Sequence, residues 1–173
     1  MSDPLIAPVP DAELSPDLAA AISGAVRDGA LSSTVLPRIW ARRPELAQAQ
    51  IELHRRFYDS SILPGRLLEL VRLRIAAINQ CEVCQTSRKS ADVSEEDIAC
   101  LAGDDPRFSP AERAALAFAE AFATNHLSLG PEDFDRLGDH FNTEEIVEIA
   151  MFAAQMVGSG RLAYALRAFE SRP

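Results

Sequence analysis

The stretch LLELVRLRIAAINQCEVCQTSRKSA, residues 67–91, decides how this chain is read. Its apolar residues do not alternate with a period of two, as a half-buried strand would require. They run through Leu67, Leu68, Leu70, Val71, Leu73, Ile75, Ala76 and Ile78 on all sides of a helix opened by Pro64. A helix apolar all round has more than one face to bury, which places it inside a helical core and hints at an oligomer. The helix is expected to end near Asn79–Gln80. There the chain meets Cys81 and Cys84, a C-x-x-C pair for which core packing alone supplies no reason.

Outward from this stretch the punctuation is helical throughout. Residues 1–14, with three prolines, read as an extended arm lying over a surface, of this chain or of a neighbouring subunit. In SPDLAAAISGAVRDG, Ser15 is an N-cap, Pro16 starts the first turn and Gly29 follows the end. A helix from Pro44 to Tyr58 carries Leu46, Ile51, Leu53 and Phe57 as apolar positions. VSEEDIACLAG is a short helix capped by Ser94 and closed by Gly103. SPAERAALAFAEAFATNHL opens with a capping box of Ser109 and Glu112, and its Leu116, Phe118, Ala119 and Phe122 form a stripe. Pro131 opens another short helix. The last starts near Thr143, with Glu144 and Glu145 at the positive end of its dipole and a possible bend at Gly158–Gly160. No window alternates as a strand would. The expected fold is all-α: a single-domain multi-helix bundle of about seven or eight helices, without a sheet. Residues 1–35 form an arm and first helix, and residues 36–173 the helical domain.

Composition narrows the function. Of 173 residues, 47% are hydrophobic and 25% charged, an ordinary globular balance. Acidic residues outnumber basic ones 26 to 17, for a formal charge of −9, which argues against a nucleic-acid surface. No run of 18 apolar residues suggests a membrane span, and the N-terminus lacks the basic and apolar regions of a secretory signal. The expectation is a cytoplasmic protein with reduced thiols, and three cysteines, an odd number, do not suggest a disulfide scaffold.

The cysteine pair carries the chemistry. A second helix starting at the cysteines would place both in its first turn, where a positive dipole end favours thiolate. One sulfur can attack while the other resolves to a disulfide. Arg88, four residues after Cys84, adds a cation that favours the Cys84 thiolate, while Glu82 opposes it. Cys81 lies at the junction, placed to resolve. Glu69 is the remaining candidate. On one straight helix it would lie ~18 Å from Cys81. It serves the thiols in proton transfer only if the chain reverses near Asn79. The bland alternative pairs Glu69 with Arg72 or Arg66 on a helix face. A zinc site would need about four ligands, which nothing nearby supplies.

The pattern E-x11-C-x-x-C in ELVRLRIAAINQCEVC, with ERAALAFAEAF and FNTEEIVEIAMFAAQMVGSGRLAYAL further on, resembles the alkylhydroperoxidase D-like / carboxymuconolactone decarboxylase family. The resemblance spans roughly residues 40–170. It implies an all-helical trimer or hexamer without metal or organic cofactor. It also implies a thiol peroxidase that takes a small hydroperoxide and an external dithiol reductant. Carried over, Cys84 attacks the peroxide, Cys81 resolves and Glu69 relays the proton. The family's motif continues to a histidine where this chain has Arg88, which keeps its proton and cannot accept one. The family's late Asn-Arg pair here reads Gly160-Arg161.

Two alternatives stand beside this reading. One is a decarboxylase or isomerase acting on a small lactone or acid, with Glu69 and Arg161 or a histidine in acid–base roles. The other is a non-catalytic helical oligomer with buried thiols. Cys100 reads as a small buried hydrophobe. His54, His126 and His140 read as surface or helix-end residues, any of which could replace the missing histidine by folding close to Cys84. Trp40 and Tyr164 read as core or interface.

Overall fold

The computed structural model describes residues 3–102 and 105–169. Among the described residues there are nine α-helices, two short 3-10 turns and no strand. The chain divides into two compact units, Met1–Ser60 with Arg161–Pro173, and Ser61–Gly160.

In the first unit, α1 (Pro16–Arg27), α2 (Val35–Trp40) and α3 (Pro44–Asp59) gather around Leu18, Ile22, Ala25, Ala47 and Ile51. Ser15 caps α1 by accepting from the Leu18 N–H, and Gly29 takes the left-handed conformation past its end, with φ 83°. The arm runs over its own chain: Leu5 N–H donates to Leu166 O, Val9 N–H to Arg38 O, and Arg42 Nε to Ala7 O. α2 has no counterpart in the sequence expectation because Pro37 lies inside it. Pro37 sits in the first turn, where no intrahelical N–H bond is required. The face of α3 also differs from expectation. Leu46 is 60% exposed, while Ala47, Ile51, His54 and Phe57 are buried. The steps from Ala47 to Ile51 to His54 follow one helical stripe, so His54 is a core residue and not a surface one.

The second unit is built on α4 (Gly65–Ile78), in which residues 67–73 are all buried. Leu70 and Leu73 pack with Val93, Leu101, Phe108 and Leu116. α5 (Glu82–Thr86), α6 (Glu95–Cys100), α7 (Pro110–Asn125), α8 (Pro131–Gly138) and α9 (Thr143–Ala165) follow, with α4 packed along α7. Ser94 with Asp97, and Ser109 with Glu112, each make a reciprocal capping box. Asn142 and Glu145 do the same for α9. The expected closure at Gly103 lies outside the described residues. α9 is continuous through Gly158–Gly160. By length and composition α9 could cross a membrane, yet Ile149, Phe152 and Ala153 are fully packed inside the protein.

Six aliphatic side chains of α4 (Leu67, Leu68, Leu70, Val71, Leu73, Ile75) are at most 4% exposed. At about 1.5–3 kcal/mol each their burial contributes on the order of 10 kcal/mol. That is enough to hold a charged pair inside the same helix, at an effective desolvation of several kcal/mol per ion.

Candidate functional site

The site begins where α4 stops. Gln80 adopts φ 54°, in the left-handed region. The Cys81 N–H donates to Ala76 O at 3.0 Å and the Gln80 N–H to Ala77 O at 3.2 Å. This pair of bonds is a Schellman closure, which satisfies the last carbonyls and turns the chain back. The helix thus ends where expected, and the reversal on which a role for Glu69 depends is present. Cys81 becomes the N-cap of α5, and its carbonyl accepts from the Gln85 N–H at 2.9 Å.

Cys81 and Cys84 are joined by a disulfide across the first turn of α5, with Cα atoms 5.2 Å apart. Their environments differ. Cys81 is 2% exposed, whereas Cys84 is half-buried.

The reversal lays α5 against α4, and Arg72 makes the connection. Its Nε and Nη2 donate to Glu69 Oε2 and Oε1 at 2.7 and 2.8 Å. Its Nη1 donates to the carbonyl of Cys84 at 2.6 Å, and Nη2 also to that of Ser87 at 2.7 Å. Glu69 Oε1 accepts further from the Lys89 backbone N–H at 2.9 Å. Both side chains are out of solvent, at 0% for Glu69 and 4% for Arg72. Of the two partners considered for Glu69 on its own helix, the fold takes Arg72. Arg66 turns instead to Glu112 at 2.8 Å and Asp97 at 2.9 Å.

Arg88 does not stand one helical turn after Cys84. α5 ends at Thr86, and Ser87 is extended at φ −75°, ψ 138°, so the i+4 relation fails. The Arg88 guanidinium pairs in a fork with the Glu95 carboxylate at 2.8–3.0 Å and donates to the Gln85 carbonyl. Lys89, next in the chain, is half-buried. Burial first, then the Arg72 charge, push its ammonium down to about 8, with Glu69 pulling the other way.

His54, in the first unit, has Nδ1 3.0 Å from Gln50 O and its ring 5.7 Å from that of Trp40. His126 is exposed in a 3-10 turn after α7. His140 helps line a cavity of about 480 Å³ with Leu101, Arg113, Leu116 and Arg136, which neither cysteine of the pair lines. Cys100 is half-buried, where the expectation was full burial. A hydrogen bond to Asp105, then desolvation, push its thiol up. Gly160 packs against Asn79, and Arg161 is exposed on α9. Among the described residues no cluster of three or more His, Cys, Asp or Glu could hold a metal ion.

Sequence reasoning gave Arg72 no part in the chemistry. The signal was available: Glu and Arg three apart share one helix face, and on an all-apolar helix such a pair must be buried together.

Comparison with known proteins agrees with the all-helical fold. Residues 44–121 match the model of the carboxymuconolactone decarboxylase family. No curated protein matches the chain. Among solved structures, the debrominase Bmp8 is similar over 98% of this chain and 93% of its own, at 22% identity and a TM-score of 0.81. A protein of unknown function from Agrobacterium tumefaciens, linked to AhpD-type antioxidant defence, is 26% identical over 78% of this chain and 97% of its own (TM-score 0.66). An alkylhydroperoxidase AhpD core, peroxidase-related, from Ralstonia eutropha JMP134 is 23% identical over 98% of this chain and 94% of its own (TM-score 0.72). The match over residues 44–121 and the likeness of the whole helical fold to AhpD-type structures support the resemblance to the alkylhydroperoxidase D-like / carboxymuconolactone decarboxylase family read from the sequence.

Proposed function

We propose that the chain is a thiol peroxidase of the alkylhydroperoxidase type, with Cys84 as the attacking sulfur and Cys81 as the resolving one. The observation that carries this reading is the bonded pair at the α4–α5 turn, in which Cys84 is the more exposed residue. In the reduced protein the Cys84 thiolate attacks the terminal peroxide oxygen. The O–O bond breaks, the departing alkoxide takes a proton, and Cys84 is left as a sulfenic acid. The Cys81 thiol then forms the S–S bond and expels water. An external dithiol restores both thiols by exchange. Glu69 enters as the partner that holds Arg72 and the Lys89 backbone, and Arg88 stays outside the chemistry, engaged by Glu95. A cycle of this kind fits a cytoplasmic setting, where reducing dithiols are at hand.

The test is thiol titration of reduced protein after one equivalent of cumene hydroperoxide. Native protein is expected to lose two thiols per chain. Cys84→Ser should lose none to this reaction, and Cys81→Ser should stop at a sulfenic acid that dimedone traps. Native protein that keeps both thiols overturns the reading.

The likeness to a debrominase supports a second use of the same dithiol. A carbon–bromine bond is replaced by carbon–hydrogen, bromide and a proton leave, and the pair is oxidised to the disulfide. Bromide release from a bromopyrrole by reduced protein, lost in Cys84→Ser, would favour it. Turnover of a small lactone that survives both cysteine substitutions would favour a decarboxylase instead.

Self-association belongs to the same proposal, as a trimer or hexamer. Val147 and Met151, each about half exposed, share one face of α9 with the small residues Ala154 and Gly158. Such a face suits close helix–helix approach. Met151→Glu should lower the molar mass measured by light scattering, and a native monomer would remove the proposal.

A further inference from the structure

α5 has five residues, far below the length at which a helix holds itself in water. Something else must fix Cys84, and one buried side chain reaches it. Arg72 is anchored on α4 by the fork to Glu69, and its other bonds go to the carbonyls of Cys84 and Ser87. These are carbonyls at the C-terminal end of α5, where a helix leaves acceptors without intrahelical partners and welcomes a cation. The positive charge therefore sits 2.6 Å from the peptide oxygen of the residue proposed to react. The opposing charge of Glu69, also out of solvent, sits 2.7–2.8 Å from the same guanidinium. Charges in such a site, with the half-buried Lys89 ammonium beside them, are screened far less than those of Glu82, Arg88 and Glu95 at the surface.

We propose that Arg72 is a positioning residue for Cys84: it fixes α5 on α4, and its guanidinium, balanced by Glu69, is the buried charge under which the Cys84 thiolate forms. The inference deepens the reading of Cys84 as the reacting sulfur and rests on it.

The two charges act on the thiolate with opposite sign, which separates this role from a merely structural one. The experiment is the pH profile of iodoacetamide alkylation at Cys84 in reduced protein, followed by peptide mass, on variants shown by circular dichroism to be folded. Arg72→Met should move the midpoint up by about one unit, slowing alkylation at neutral pH about tenfold, and Glu69→Gln should move it down. Arg72→Lys should keep a near-native midpoint while melting earlier, because the charge remains and the fork is lost. Arg88→Met should keep the native profile. Shifts of the same sign in Arg72→Met and Glu69→Gln, or a native profile in folded Arg72→Met, overturn the proposal. If Arg72→Met does not fold, a native midpoint in Glu69→Gln overturns it alone. The profile is readable whether or not peroxide oxidises the pair, so this inference and the peroxidase reading fail separately.

Discussion

The side chain of Asn79 closes α4 onto α9: its Nδ2 donates to the carbonyls of Met156 and Val157 at 3.2 and 3.4 Å, directly against the backbone of Gly160. A Cβ at position 160 would come within 3.2 Å of the Asn79 Cγ, and nearer still to its amide nitrogen. Gly160→Ala should therefore destabilise by about 1–3 kcal/mol, the usual cost of overpacking. Adding Asn79→Ala should recover part of it. A melting temperature of Gly160→Ala equal to the native one would show that the contact yields freely.

Gln80 holds a left-handed conformation that costs an L residue about 1–2 kcal/mol, and glycine adopts it without that penalty. Gln80→Gly should raise stability by up to about 1 kcal/mol, part of the gain being offset by a more flexible unfolded chain. Urea denaturation would read this as a higher midpoint at unchanged slope. A lower midpoint would mean that the Gln80 side chain makes a contribution of its own.

The Arg66 guanidinium beside Asp97, then the Ser94 N–H, hold the Asp97 carboxyl well below the usual carboxylate range. A depressed folded-state value adds stability above the unfolded value of about 3.9, and loses it as pH falls below that. Asp97→Asn should cost about 1 kcal/mol at neutral pH, as expected for a lost cap. The gap from native should narrow below about pH 4. A gap independent of pH would rule out the ionic contribution.

Lys89 gives the opposite case. Its folded-state value of about 8 lies below that of a free lysine. The cost of keeping it charged is then fully present below pH 8 and fades as pH rises toward about 10.4. Lys89→Met should be more stable than native at pH 7, with the two converging by pH 10. Parallel stability curves over that range would mean that the amine is solvated.

Much of this protein was written locally. Ser15, Ser94 and Ser109 mark helix starts by bonds to residues three positions away. The break of α4 at Asn79–Gln80 and the disulfide spacing of Cys81 and Cys84 depend equally on near neighbours. Signals of that range survive in a one-dimensional string. α2 escaped because a proline in its first turn reads as a break. The Leu46 and His54 positions differ from expectation because a stripe on a helix can be rotated by one residue at no cost to the pattern.

The sequence by itself thus determined an all-helical chain, the end of α4 near Asn79–Gln80 and the pair of thiols that follows it. Only the tertiary structure decided which charge attends them. Arg72 and Arg88 are the same residue type, and by spacing Arg88 is the nearer to Cys84. The extended backbone at Ser87 carries Arg88 to Glu95, while the packing of α4 on α5 brings Arg72 to the Cys84 carbonyl. Local bonding is set by positions along the chain. The partner of a buried charge is set by which helices come together, and that depends on the whole core.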